Sequence, residues 1–184
     1  MANIKGVIFD RDGTLIEHVA YLSDVNDIQL LPTVIDALLV LKKLGIKCFI
    51  ATNQSGIGRG FYSDEQYKLI EHYLVRLFSD YGVSFNRIYY CPYHPEAGIG
   101  DYKQDSNDRK PNPGMIHRVM DDFQLRSNEL VMVGDSEVDI GAANNAGVRS
   151  VFVSTGIGEN TGQYQADYQA ATLLDAVERY IILL

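Results

Sequence analysis

Five short apolar runs punctuate the chain: Lys5–Asp10, Ile46–Thr52, Arg87–Cys91, Leu130–Asp135 and Arg149–Val153. Each is rich in Val, Ile, Phe or Tyr, has the length of a strand and is bounded by turn residues, so each predicts a buried β-strand. Between them the apolar positions recur at helical spacing. Tyr67, Ile70, Leu74, Leu77, Phe78 and Tyr81 line one side of a helix that Gly82 stops. At its start Ser63 and Gln66 have the spacing of a capping box, in which the serine caps the helix and the glutamine reaches back. Another helix is expected from Pro32 to Gly45, with proline inside its start and glycine past its end. Further helices are expected from Pro113, over Ser136–Ala146 with Gly147 as the stop, and over Ala170–Leu184. Strands that alternate with helices predict an α/β fold, a mainly parallel sheet covered by helices on both faces.

The length of 184 residues suits one domain able to bury its own core, and 46% hydrophobic with 22% charged residues is ordinary for a globular chain. Two cysteines, Cys48 and Cys91, make no disulfide framework. The opening MANIKGVIFD runs straight into a strand without the layout of an export signal, and no apolar stretch is long enough to span a bilayer. A cytoplasmic protein with no membrane partner is the expectation. The net charge of −8 argues against nucleic acid as a partner, because such binding draws on a basic face that releases counterions from phosphates. A small phosphate is still compatible with an acidic chain, provided a local cationic pocket receives it. That requirement directs attention to Arg109 and Lys110. The glycine clusters SGIGRG, AGIG and TGIG lack the strand–GxGxxG–helix setting of a dinucleotide site.

Ligands of open α/β sheets bind beyond the carboxyl ends of the strands, and chemistry-bearing residues gather at those ends here. The first strand runs into Asp10-Arg11-Asp12-Gly13-Thr14, the second into Thr52-Asn53-Gln54-Ser55-Gly56, and the fourth into Gly134-Asp135, with Asp139 one helical turn on. Residues two apart, such as Asp10 and Asp12, both face the crevice if Gly13 lets the chain turn. One carboxylate is then placed to attack phosphorus, splitting a hard hydrolysis into two steps. The other is placed to protonate the leaving oxygen and later to deprotonate water. Carboxylates this close call for a divalent cation, to which Asp135 adds a third anionic group, and an all-oxygen site of few protein ligands suits Mg²⁺. Thr52 offers a hydroxyl before a glycine-rich turn whose amides can cradle phosphate oxygens. Lys110 offers a compact positive charge for a phosphoryl group, and Arg109 two donors for an oxyanion.

The strings DRDGT, TNQSG, the lysine of DRKPNPGM, and GDSEVD together resemble the four motifs of the haloacid dehalogenase (HAD) superfamily of aspartate-nucleophile phosphotransferases, along essentially the whole chain. The longer strings IFDRDGTL, ATNQSGIGRGFYS, CPYHP and RKPNPGM resemble its bacterial heptose-bisphosphate phosphatases and their histidinol-phosphatase relatives. The resemblance implies a Rossmann-like three-layer sandwich and a phosphatase that removes the 7-phosphate of D-glycero-D-manno-heptose 1,7-bisphosphate. It implies Asp10 as nucleophile, Asp12 as general acid/base, Thr52 and Lys110 on the phosphoryl group, and Mg²⁺ on the Asp10 carboxylate, the Asp12 main-chain carbonyl and Asp135. Arg11, Tyr21, Asn53, Ser55, Arg109 and Lys110 are the expected substrate contacts. The intervals from Asp12 to Thr52 and from Thr52 to Lys110 leave no room for an inserted lid, so one capless domain is expected, a monomer acting on a small phosphorylated sugar.

Two departures accompany the resemblance. In many of these phosphatases the loop from Cys91 to Lys110 carries a structural zinc held by Cys-Pro-His and Cys-x-Cys. Here Tyr93 stands at the histidine position and Ser106 and Asp108 at the two cysteine positions, which leaves the tetrahedral set incomplete, and a zinc-free loop is expected. Ser136 stands where these phosphatases usually carry lysine. The competing readings are a phosphatase for histidinol phosphate or another small metabolite, a nucleic-acid 3′-phosphatase, and a non-catalytic binding protein.

Overall fold

The computed structural model describes residues 4–158 and 161–184. The reading of the opening segment as free of an export signal falls partly on residues 1–3, outside the described residues. Among the described residues no helix is long and apolar enough to cross a membrane.

Six parallel strands form one sheet: β1 (Gly6–Phe9), β2 (Lys47–Asn53), β3 (Arg87–Cys91), β4 (Leu130–Gly134), β5 (Arg149–Val153) and β6 (Tyr168–Ala170). Their order across the sheet is β3-β2-β1-β4-β5-β6. The helices are α1 (Val34–Lys43), α2 (Ser55–Gly58), α3 (Asp64–Asp80), α4 (Gly114–Phe123), α5 (Glu137–Ala146) and α6 (Leu173–Arg179). The strands read as continuous apolar runs because both faces are covered. Val7, Phe9, Ile50, Val131 and Val133 pack on one face with residues of α1, α3 and α6, including Leu38, Leu41, Ile70, Leu74 and Val177. Ile8, Phe49, Ala51, Leu130 and Met132 pack on the other with Met115, Ile116 and Val119 of α4 and Ala142 and Ala143 of α5. The result is the three-layer α/β sandwich expected from the alternation of strands and helices.

The capping box at Ser63 forms as its spacing predicts: the serine hydroxyl accepts from the Gln66 amide and the Gln66 side chain accepts from the Ser63 amide. Other boundaries moved. Thr33, not Pro32, precedes α1, and the segment expected as one helix over Ala170–Leu184 divides into the end of β6, α6 and a 3-10 turn at Ile181–Leu183. Strand β6 is three residues, too short for a periodicity to register, and exists through its pairing with β5. The glycine-rich turn after Thr52 closes into the single helical turn α2.

The strand order reverses between β1 and β4, so the crevice at that switch point opens between their carboxyl ends. Asp10 follows β1 and Asp135 follows β4. Between β1 and β2 the described residues hold a 3-10 turn and α1; between β2 and Lys110 they hold α2, α3, β3 and one long loop with a 3-10 turn.

Candidate active site

Beyond the switch point lies a cavity of about 350 Å³. Its walls include Asp10, Arg11, Asp12, Thr52 and Lys110. Tyr21, Asn53, Ser55 and Asp135 also face it, so every sequence-predicted site residue but Arg109 borders one space. Arg109 is half-buried beside the loop and donates to the main-chain carbonyl of Tyr93 at 3.3 Å.

The turn after β1 is drawn tight by local chemistry. The amides of Leu15 and Ile16 both donate to the Arg11 carbonyl, and that of Gly13 to the Ile16 carbonyl. Gly13 has φ of +84° and lies against the Asp135 carboxyl group and the Gly156 backbone, so a side chain there would meet both strain and collision. A side chain at this position would separate the loops after β1 and β4, and with them Asp10 from Asp135.

At the centre Lys110 Nζ reaches Asp10 Oδ1 at 2.7 Å and Asp139 Oδ1 at 2.5 Å, and its side chain is 2% exposed. Burial opposes its charge, yet the two carboxylates outweigh that cost and hold the ammonium above its usual range. Burial pushes the Asp10 carboxyl up to about 7, against the opposing pull of Lys110 and with a further push from Asp139. The Asp135 carboxyl is likewise raised by burial and then by Asp139, while the Gly158 amide donates to it at 3.2 Å. Asp12 sits to the side with both oxygens occupied. Arg11 forks onto it through Nε at 3.0 Å and Nη2 at 2.9 Å, and Gln54 Nε2 donates to its Oδ2 at 3.1 Å.

The donor set can be tested for a divalent cation by its charge. Asp12 is balanced by Arg11. Asp10, Asp135 and Asp139 present carboxylate oxygens within 4.8 Å of one another, and Lys110 is the ammonium among them. Three carboxylates against one ammonium leave two negative charges in a buried place, which a single Mg²⁺ neutralises through hard oxygen ligands. Asp139 is already committed: besides Lys110 it accepts from the Ser136 amide at 3.1 Å and hydroxyl at 2.6 Å, closing a capping box on α5. The carboxylates left for a cation are those of Asp10 and Asp135.

Asp139, which the sequence reading left without a role, now has one, and three expected substrate contacts gain structural partners or a place in the fold. Asp139 was visible as one helical turn beyond Asp135, and the Ser-x-x-Asp spacing at a helix start was the available sign that it folds back. Asn53, expected on the substrate, gives both ends of its amide to the Lys110 backbone, with Nδ2 donating to the carbonyl and Oδ1 accepting from the amide, each at 3.0 Å. It thereby ties the loop to the end of β2 and sets where Lys110 enters. Tyr21 stands at the mouth with φ of +54°, stacked on Phe61 at 3.9 Å, and its hydroxyl accepts from Arg59 at 2.5 Å. Ser55 opens α2 on the cavity wall.

The loop from Cys91 to Lys110 is held by its own polar groups. His94 Nδ1 accepts from the amides of Glu96 and Ala97, at 3.2 and 3.0 Å. The Ile99 amide donates to the Gly58 carbonyl, Asn112 Nδ2 to the Ser106 carbonyl, and Arg118 pairs with Asp108 at 2.9 Å. Tyr93 and Tyr102 face each other with ring centroids 6.0 Å apart. Cys91 is buried and its thiol is pushed up by that burial.

The arrangement invites comparison with known proteins. A HAD-hydrolase-like family model matches residues 107–178. The D-glycero-beta-D-manno-heptose-1,7-bisphosphate 7-phosphatase of Vibrio cholerae is 40% identical over 151 residues, 82% of this chain and 81% of its own. The D-glycero-alpha-D-manno-heptose-1,7-bisphosphate 7-phosphatase of Burkholderia mallei is 38% identical over 149 residues, 81% of this chain and 79% of its own. The crystal structure of D,D-heptose 1,7-bisphosphate phosphatase from B. bronchiseptica, complexed with magnesium and phosphate, superposes with a TM-score of 0.86 at 26% identity, covering 98% of this chain and all of that one. With relatives this similar over four-fifths of its length, the chain belongs to the haloacid dehalogenase superfamily of hydrolases.

Proposed function

We propose that this protein is a Mg²⁺-dependent phosphomonoester hydrolase that removes the 7-phosphate from D-glycero-D-manno-heptose 1,7-bisphosphate through an aspartyl-phosphate. The observation that carries the reading is the convergence of Asp10, Asp12, Thr52, Lys110 and Asp135 on one cavity at the switch point of the sheet. The relatives named above supply the heptose bisphosphate.

Asp10 is the nucleophile. Its carboxylate attacks phosphorus, the bond from phosphorus to the sugar oxygen breaks, and the electron pair leaves with that oxygen, which takes a proton from Asp12. Water then attacks the aspartyl-phosphate while Asp12 takes its proton, releasing inorganic phosphate and restoring Asp10. Lys110 Nζ and the Thr52 hydroxyl hold the phosphoryl oxygens and steady the charge that builds on them. The Asp10 carboxylate, the Asp12 main-chain carbonyl and Asp135 hold Mg²⁺, which when bound offsets the negative charge of phosphate and carboxylates. Arg11, Tyr21, Ser55 and Arg109 are the remaining substrate-facing candidates, with Tyr21 at the mouth and Arg109 on the flanking loop. We read the chain as one domain without a cap, a cytoplasmic monomer with neither nucleic acid nor membrane as partner.

Phosphate release with Mg²⁺ across a panel tests the substrate. The panel holds both anomers of the heptose 1,7-bisphosphate, since relatives named for either match almost equally, with histidinol phosphate, fructose 1,6-bisphosphate and a 3′-phosphorylated oligonucleotide. One heptose anomer is expected to exceed every other compound in kcat/KM by at least about tenfold, a difference of about 1.4 kcal/mol in transition-state binding. Flat, weak activity across the panel would remove the heptose assignment. The Cys91–Lys110 loop is read as zinc-free, so metal analysis of protein purified without chelators is expected to find far less than one zinc per chain. A stoichiometric zinc would overturn that reading.

A further inference from the structure

Gln54 takes no part in the reaction as described, yet it is buried beside it with every polar atom of its side chain engaged. It is 3% exposed, and each end of its amide has a fixed duty. Nε2 donates to Thr52 Oγ1 at 2.8 Å and to Asp12 Oδ2 at 3.1 Å, while Oε1 accepts from the Tyr62 hydroxyl at 2.6 Å. An ionised carboxylate accepts and cannot donate, so the amide turns its nitrogen toward Asp12, and the Tyr62 hydroxyl, able to donate or accept, donates to the oxygen and anchors the amide from the other side. Tyr62 is itself 6% exposed, with its ring lying directly against Gly56, where any side chain would displace it. The Gln54 backbone is anchored as well, its amide donating to the Cys91 carbonyl at 2.8 Å.

The other grip on Asp12 comes from Arg11, its chain neighbour, and moves with the same turn. Among the described residues Gln54 alone links the Asp12 side chain to a different element, the end of β2 that carries Thr52. We propose that Gln54, oriented by Tyr62, is a positioning residue that sets the Asp12 carboxylate relative to the phosphoryl group held at Thr52, and so sets the proton transfer to the leaving oxygen. This rests on the reading of Asp12 as the general acid/base. The loss of Gln54 leaves Asp10 and Lys110 untouched but frees the Thr52 hydroxyl, so attack on phosphorus slows to a similar, small extent on every substrate while the delivery of the proton suffers further.

A change of leaving group separates this role from a structural one. The best substrate of the panel would be compared with its analogue carrying sulfur at the bridging position, whose thiolate departs without needing a proton. Release of the sugar alcohol or thiol would be followed in a single turnover with enzyme in excess, which reads the first bond cleavage alone. General acid catalysis contributes about 10²- to 10⁴-fold, and misplacing the acid forfeits part of it. Gln54→Met is therefore expected to slow alcohol release by roughly 10- to 100-fold and thiol release by at least about fivefold less, the smaller loss coming from the freed Thr52 hydroxyl. Tyr62→Phe, which keeps the ring against Gly56 and removes the anchor on the amide oxygen, is expected to produce the same selectivity at smaller size. A parallel loss on both compounds, or no loss on either, would overturn the proposal and make Gln54 a piece of scaffold. Asp12→Asn serves as the reference: it should lose alcohol release and keep thiol release, and equal losses there would remove the acid/base reading itself.

Discussion

Asp10→Asn is expected to lower turnover by roughly four orders of magnitude or more, the scale of loss when a covalent nucleophile is removed. The same change is expected to raise the melting temperature of the metal-free protein. Burial lifts the Asp10 carboxyl to about 7, above its ordinary value near 4, so the fold favours the neutral form. A group of this kind contributes stability that is fully present below its unfolded value and is lost as the pH rises through the folded one. Asparagine mimics the neutral form at every pH. Its advantage should therefore be small near pH 4, grow between pH 4 and 7, and hold above that, reaching several degrees by thermal denaturation at pH 8. Added Mg²⁺ reverses the order, because the wild-type protein gains binding energy that the variant lacks. Activity above a tenth of wild type would remove Asp10 as nucleophile. A variant less stable than wild type at pH 8 without metal would mean that Lys110 already compensates Asp10 fully.

The same two facts, a low-dielectric crevice and crowded carboxylates, explain how much of the site could be read from the chain alone. Asp10, Asp12, Thr52 and Asp135 stand where apolar runs end, and a sheet of parallel strands sends all such ends to one edge. Lys110 is 57 residues or more from the strand ends that its neighbours occupy in β1 and β2, but the loop carrying it leaves β3, the strand paired with β2. What could not be read are pairings made only in three dimensions. The Asn53 amide on the Lys110 backbone and the Gln54 bridge between Thr52 and Asp12 depend on rotamers that no periodicity encodes. Arg109 illustrates the converse. Its neighbour Lys110 turns into the crevice, so Arg109 is directed away from it and onto the loop's own backbone.

Ser136 also loses its oddity once Asp139 is placed. As N-cap of α5 its hydroxyl donates to Asp139 Oδ2 and leaves Oδ1 for Lys110. Asp139 thus acts as the fixed wall against which the Lys110 ammonium is pressed toward Asp10. At position 136 a hydroxyl that fixes Asp139 takes the place of a cation, and the remaining negative charge of the centre is left for the metal.

Lys110→Met, close in shape and without charge, is expected to fail in both stability and rate. Its ammonium is the shared partner of two buried carboxylates, and removing one member of such a pair costs about 3–5 kcal/mol because the others stay buried uncompensated. For a chain of this length that is a fall of roughly 10 °C in melting temperature. The orphaned carboxylates relieve the repulsion by taking up a proton. Lys110 ordinarily pulls the Asp10 carboxyl down, so without it Asp10 remains protonated to a higher pH and is lost as a nucleophile there. Activity should drop at least about 10³-fold, beyond the 10²–10³ that one stabilising donor supplies, with the deficit larger at pH 6 than at pH 8.5. Lys110→Arg tests whether charge alone suffices: a planar fork cannot replace a point charge set between two oxygens, so little recovery is expected. A pH-independent loss of less than tenfold, with the melting temperature unchanged, would show that Lys110 neither holds the phosphoryl group nor tunes Asp10.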